Sequence, residues 1–171
     1  MKNISKFSEV DDYLPILNGV IATDLIVILL LLTGFINSKV LRSWYRDCQL
    51  SAVIADVLVI VLVIILTRFL YPFIFSEFSL FYFILLSVFI QIIHDILFYY
   101  FTITIPRGIS KILDIFKDYG KEMGIRAIFA DSLMMISSII IATYFKNMSI
   151  NYNIIILIFL IYLIPYFIFS V

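Results

Sequence analysis

Five apolar stretches, at approximately 14–36, 50–75, 78–105, 127–145 and 152–170, are each long enough to cross a bilayer. About 30 Å of hydrocarbon takes roughly 20 helical residues. Lipid offers the backbone no hydrogen-bond partners, so segments this long and unbroken are expected as helices rather than as barrel strands. The expected fold is all-α: one polytopic membrane domain over 1–171 with about five spans. Pro165 interrupts the last stretch, and a four-span bundle with a re-entrant or interfacial tail is the alternative.

Composition agrees. Hydrophobic residues make up 64% of the chain and charged ones 14%, against about 25% charged in soluble domains. Twelve basic and twelve acidic residues cancel, and no basic patch with interleaved aromatics marks a nucleic-acid partner. Membrane lipid is the expected partner. Cys48, the single cysteine, excludes an internal disulfide and, with one histidine, any Cys/His metal framework. It lies at a membrane boundary, where either an unmodified thiol or palmitoylation fits. The polar start, MKNISKFSEVDDYLP, has no cleavage site after a short apolar region, so the first span is expected to act as its own insertion signal.

Basic residues in the connections set an orientation. Lys39, Arg42 and Arg46, with Arg107, Lys111, Lys117, Lys121 and Arg126, fall on one side; Lys2, Lys6 and Lys146 fall on the other. The excess places the first group in the cytoplasm, the N-terminus outside or in a lumen, and the C-terminus in the cytoplasm. Trp44 and Tyr45 mark the inner interface, and the hairpin LYPFIFSEFSLFYF the outer one. Between spans three and four, Ile109, Ile112, Leu113, Phe116, Tyr119 and Met123 recur at helical spacing opposite charged positions. That pattern predicts one amphipathic helix over about 109–124, lying on the cytoplasmic leaflet. It serves either as a linker resting on lipid or as a gate or partner-docking helix.

Ionisable groups inside the spans each cost on the order of 3 kcal/mol and need a reason. At about 1.5 Å per residue, Asp56 on span two, Asp95 on span three and Asp131 on span four all fall in the cytoplasmic half, with His94 beside Asp95. These four are the candidate proton or cation cluster. Asp24, Arg68, Gln91 and Tyr99 are candidate contributors, Arg68 placed towards the outer face where its side chain can snorkel. Ser87, Gln91, Asp95, Tyr99 and Thr102 line one face of span three, and Gln91 can reach Asp95 at i+4. AVIADVL on span two and AIFADSL on span four match at constant offset, and each continues a stripe of small or polar positions: Ala52, Asp56, Val63 and Thr67, and Ala127, Asp131, Ser138 and Ala142. Such stripes are where membrane helices approach closely, which turns both aspartates towards protein.

Two readings of the cluster stay open: a hydrogen-bonded clasp between helices, or a site that moves or senses protons or cations. A metal shell is weakly supported, because no ligand pair stands at i,i+4, and no metal or other cofactor is assigned. Neither GxSxG, HExxH nor a glycine-rich phosphate loop occurs, so an enzyme is the third choice.

Taken together, YRDCQLSAVIADVL, TRFLYPFIF, QIIHDILFYYF, FKDYGKEMG and ADSLMM resemble a family of uncharacterised multi-pass membrane proteins of large nucleocytoplasmic DNA viruses of algae and amoebae. The resemblance runs from Tyr45 to the C-terminus and carries no activity with it. It implies residence in a host membrane or in the internal lipid layer of a virion. A homo-oligomer is expected of any transport function, because five short helices enclose little pore.

Overall fold

The computed structural model describes residues 3–171, so Lys2, one of the bases counted for the outer side, lies outside the described residues. Seven α-helices account for the described architecture: α1 (Tyr13–Leu32), α2 (Lys39–Cys48), α3 (Leu50–Ile74), α4 (Leu80–Thr104), α5 (Lys111–Met123), α6 (Ile125–Phe145) and α7 (Ile150–Ile168). Helices α1, α3, α4, α6 and α7 are long and apolar enough to cross a membrane, the arrangement of an integral multi-pass protein. Their outward surfaces carry exposed Leu62, Phe73, Phe81 and Ile158, which suit acyl chains rather than water.

Local chemistry sets the ends. The first span stops at Leu32 rather than Ile36, because Gly34, at φ +78°, breaks the helix there. Span three stops at Thr104: Ile105 precedes Pro106 and is held extended at ψ 129°. Span four begins at Ile125 and not Ala127, and span five begins at Ile150 and not Tyr152, where the Ser149 hydroxyl caps it. Helix α7 then continues through Pro165 to Ile168, a full span by length.

Helix α1 is the hub. It packs against α3, α6 and α7, and its Ile16, Val20, Ile28 and Leu31 are fully buried. The closest approach is to α6, where a Cβ added at Gly19 would stand 2.7 Å from the Ala142 nitrogen and 2.7 Å from the Ser138 carbonyl oxygen. Gly19 thus meets Ser138 and Ala142, small residues four apart on α6. A pair of asparagines joins α1 to α7: Asn18 Nδ2 donates to the Asn153 carbonyl at 2.9 Å and to its Oδ1 at 3.2 Å.

The sequence led to one interfacial helix; there are two. Helix α2 precedes α3 as α5 precedes α6, and each pair is joined by a single-residue elbow, Gln49 (φ 48°, ψ −125°) and Gly124 (φ 52°, ψ −129°). Ser38 caps α2 through the Leu41 N–H, and Ser110 caps α5 through that of Leu113. With the elbows aligned, WYRDCQLSAVIADVL pairs with YGKEMGIRAIFADSL, matching Trp44 with Tyr119, Arg46 with Lys121, Asp47 with Glu122 and Asp56 with Asp131. One helix–elbow–helix unit is therefore present twice. Gln49 is the only non-glycine residue with positive φ among the described residues, in a region that costs a residue with a Cβ roughly 1–3 kcal/mol. Gln49→Gly regains part of that and loses some to unfolded-chain entropy, so unfolding in detergent is expected to be harder by about 1 kcal/mol.

Candidate functional site

The site lies where α2 and α5 close over the ends of the spans, here termed the elbow face. Helix α2 is short and polar outward, but Leu41, Trp44, Tyr45 and Cys48 share its inner side. Trp44 and Tyr45 are 4% and 1% exposed. Tyr45 donates its hydroxyl to Asp24 Oδ1 at 2.7 Å, and Trp44 Nε1 donates to Asp56 Oδ2 at 2.8 Å. An interfacial helix thereby supplies one donor each to carboxyls on α1 and α3. Burial above all, then the negative charges of Asp24 and Asp56, push the Tyr45 phenol well up, so it stays a neutral donor.

Helix α5 brings Tyr119 to the same layer. Its phenol is likewise pushed up, first by burial and then by the charges of Asp131, Asp56, Asp95 and Glu122. Asp24, Asp56, Asp95 and Asp131, from four spans, therefore share a layer with two tyrosines and an indole. On α4, Gln91 Nε2 donates to Asp95 Oδ1 at 2.7 Å, the i,i+4 contact expected from the spacing. The amide is 2% exposed, and its Oε1, with Asp24 Oδ2 and Asp95 Oδ2, has no hydrogen-bond partner.

Not every sequence candidate lies inside. The His94 side chain is 38% exposed, with Nδ1 3.2 Å from Asp95 Oδ1. Its ring stacks on Phe98, which meets Phe116 edge-on, and Phe116 in turn packs on Trp44. His94 thus stands at the rim, at one end of a file of rings tying α4, α5 and α2 together. Tyr99 is half-exposed, its ring pressed on Gly120 of α5.

Arg68 does not snorkel and does not belong to this layer. Twelve residues beyond Asp56, it is about 18 Å further along α3 by helical rise. Its side chain is fully buried because the N-terminal segment folds back over it: the guanidinium donates to the carbonyls of Lys6 and Glu9, pairs with Asp12 at 3.2 Å and stacks over the Tyr13 ring at 4.5 Å. Lys146 reaches the same Asp12 at 2.6 Å and the Asn3 carbonyl. Arg68 and its counter-charge Asp12 thus sit at the end of the bundle away from the elbow face. None of the ion pairs among the described residues involves Asp24, Asp56 or Asp131.

The two interfacial helices are also joined to each other. Glu122 accepts from the Ser38 hydroxyl at 2.7 Å and from the Val40 N–H at 3.2 Å. Removing the Tyr45 hydroxyl would strand both oxygens of fully buried Asp24, at a cost of about 1–3 kcal/mol. Tyr45→Phe is accordingly expected to lower the unfolding free energy by that amount in detergent, with helix content unchanged by circular dichroism. Among the described residues no three His, Cys, Asp or Glu side chains are grouped to hold a metal ion. Searched against family models, curated proteins and solved structures, the chain matches none.

Proposed function

We propose that the chain is a small membrane protein that takes up and passes protons through the layer of Asp24, Asp56, Asp95 and Asp131. One observation carries the reading: carboxyls from four helices, Asp24 buried and Asp56, Asp95 and Asp131 half-buried, share a layer to which no lysine or arginine supplies an ion pair. Several like charges in a low dielectric repel one another and each forgoes hydration, so protons or a bound cation must neutralise them. The unpartnered atoms there, Asp24 Oδ2, Asp95 Oδ2 and Gln91 Oε1, are all acceptors, which favours something that donates. Tyr45 and Tyr119 are carried to the layer by the two elbow-face helices, and as neutral hydroxyls they can both donate and accept.

The test is proton flux in proteoliposomes holding a pH-sensitive dye under an imposed potassium diffusion potential. Wild-type protein is expected to conduct well above protein-free vesicles, and His94→Gln/Asp95→Asn to reduce the flux at least tenfold. Tyr45–Asp24 and Trp44–Asp56 favour a second reading, in which the polar groups only clasp the helices. Unchanged flux in the double variant alongside a lowered melting temperature would leave the clasp alone standing.

The excess of basic residues supports an elbow face in the cytoplasm. Half-buried Cys48 reports on it: a membrane-impermeant maleimide should label it only after the cells are permeabilised. Residence in a host membrane or a virion's lipid layer rests on the family resemblance.

A further inference from the structure

The two copies of the helix–elbow–helix unit are not in the same state. In the first, the aromatic residue five positions before the elbow, Trp44, donates to the aspartate seven positions after it, Asp56. In the second, Tyr119 and Asp131 hold the same places. Neither of their side chains makes a hydrogen bond with any other described residue. Asp24 has Tyr45, Asp56 has Trp44, and Asp95 has Gln91 and the edge of His94. Asp131 alone of the four has no donor.

We infer that Asp131 is the loading carboxyl of the layer, the group that carries the exchangeable proton, and that Tyr119 is its positioning residue. A carboxylate ion in apolar surroundings is stabilised by donated hydrogen bonds or by a cation. With neither, the group is stabilised by its own proton. Asp131 faces Asp95 on α4, with His94 beyond it, Asp56 on α3, and Tyr119 on α5, which itself feels Glu122. None of these is a fixed positive charge. Gln91 Oε1, buried beside Asp95, is an acceptor with no hydrogen-bond partner in the same layer. A single carboxyl without companion ligands is poorly suited to a divalent cation, which needs several oxygens, whereas one proton needs one oxygen. Tyr119, its phenol neutral, reaches Asp131 by an adjustment of its own helix, and on doing so it reproduces the closed state that Trp44 and Asp56 already show. One copy is thus held shut while the other opens and closes.

The assignment rests on the proton reading above, but its test reads the carboxyl directly. A hydrophobic carbodiimide reacts with a protonated carboxyl in an apolar site. The O–H adds across a C=N bond, oxygen to carbon and proton to nitrogen, with no leaving group. The O-acylisourea then rearranges to a stable N-acylurea that mass spectrometry locates. In wild-type protein in liposomes at pH 7, Asp131 is expected to be labelled at least tenfold more than Asp24, Asp56 or Asp95. Trp44→Phe should raise the label on Asp56 severalfold by releasing it, while Tyr119→Phe, which removes a hydroxyl not bonded to Asp131, should leave the Asp131 label in place and slow proton flux. Label falling chiefly on Asp24, Asp56 or Asp95, or evenly on all four, overturns the assignment whatever the flux. Absence of flux with label still on Asp131 would instead remove transport and keep the protonated group.

Discussion

Gly19→Ala is expected to lower the unfolding free energy of the bundle by about 3 kcal/mol, and Gly19→Val to leave no monodisperse folded protein in detergent. The added Cβ would lie 2.7 Å from two backbone atoms of α6 and 2.9 Å from a third, the Ala142 Cα. Overpacking usually costs about 1–3 kcal/mol because side chains move aside. Here the obstacle is main chain, so α1 and α6 must part, and α1 is the helix on which α3, α6 and α7 all pack. Because the clash is with backbone, Ala142→Gly in the Gly19→Ala background should return none of the loss. Steric-trap or denaturant titration in micelles measures the first effect and size-exclusion chromatography the second. A Gly19→Ala protein as stable as the wild type would mean that the two helices do not approach as closely as described.

That contact shows how far the sequence can be read. The stripe through Ser138 and Ala142 is visible in the sequence, because small residues at i,i+4 in a lipid span imply a close neighbour. Which neighbour is not visible: Gly19 sits in an evenly apolar helix whose partner is more than a hundred residues away. The carboxyl layer is legible for a similar reason. Depth follows from residue counting along a helix of known rise, which places Asp56, Asp95 and Asp131 at comparable levels without any knowledge of side-chain direction. Helix α2 is hard to read because its ten residues are too few to show a period beside two long apolar runs, and Trp44 and Tyr45 are equally explained as interface anchors. The signal was there in Leu41, Trp44, Tyr45 and Cys48 at i, i+3, i+4 and i+7. With it, both aromatic residues fall on the side facing the bundle, with donors that must be satisfied. Asp24 becomes a full member of the layer only through Tyr45, which explains why sequence alone left it marginal.

Arg68 is the case where counting misleads, since its depth near the outer end of α3 suggests a side chain that reaches headgroups. Instead residues 3–12 fold back and meet it, and the acidic start of the chain supplies the counter-charge: Asp12 takes both Arg68 at 3.2 Å and Lys146 at 2.6 Å, with its side chain 5% exposed. Removing one partner of a buried pair leaves the other charge uncompensated, which typically costs about 3–5 kcal/mol. Asp12→Ala is therefore expected to destabilise by that amount, freeing the N-terminal segment and raising its proteolysis in detergent. Replacing the cation as well should lessen the damage: Asp12→Ala/Arg68→Met is expected to be more stable than Asp12→Ala, since an apolar side chain of similar length needs no counter-charge. Salt gives the third arm, because a buried pair is little screened, and 0.5 M sodium chloride should leave the wild-type midpoint nearly unchanged. If Asp12→Ala were neutral, or if salt alone reproduced its effect, Arg68 would have to be an ordinary interfacial arginine after all, and the N-terminal segment a loose tail instead of the plug that closes the bundle.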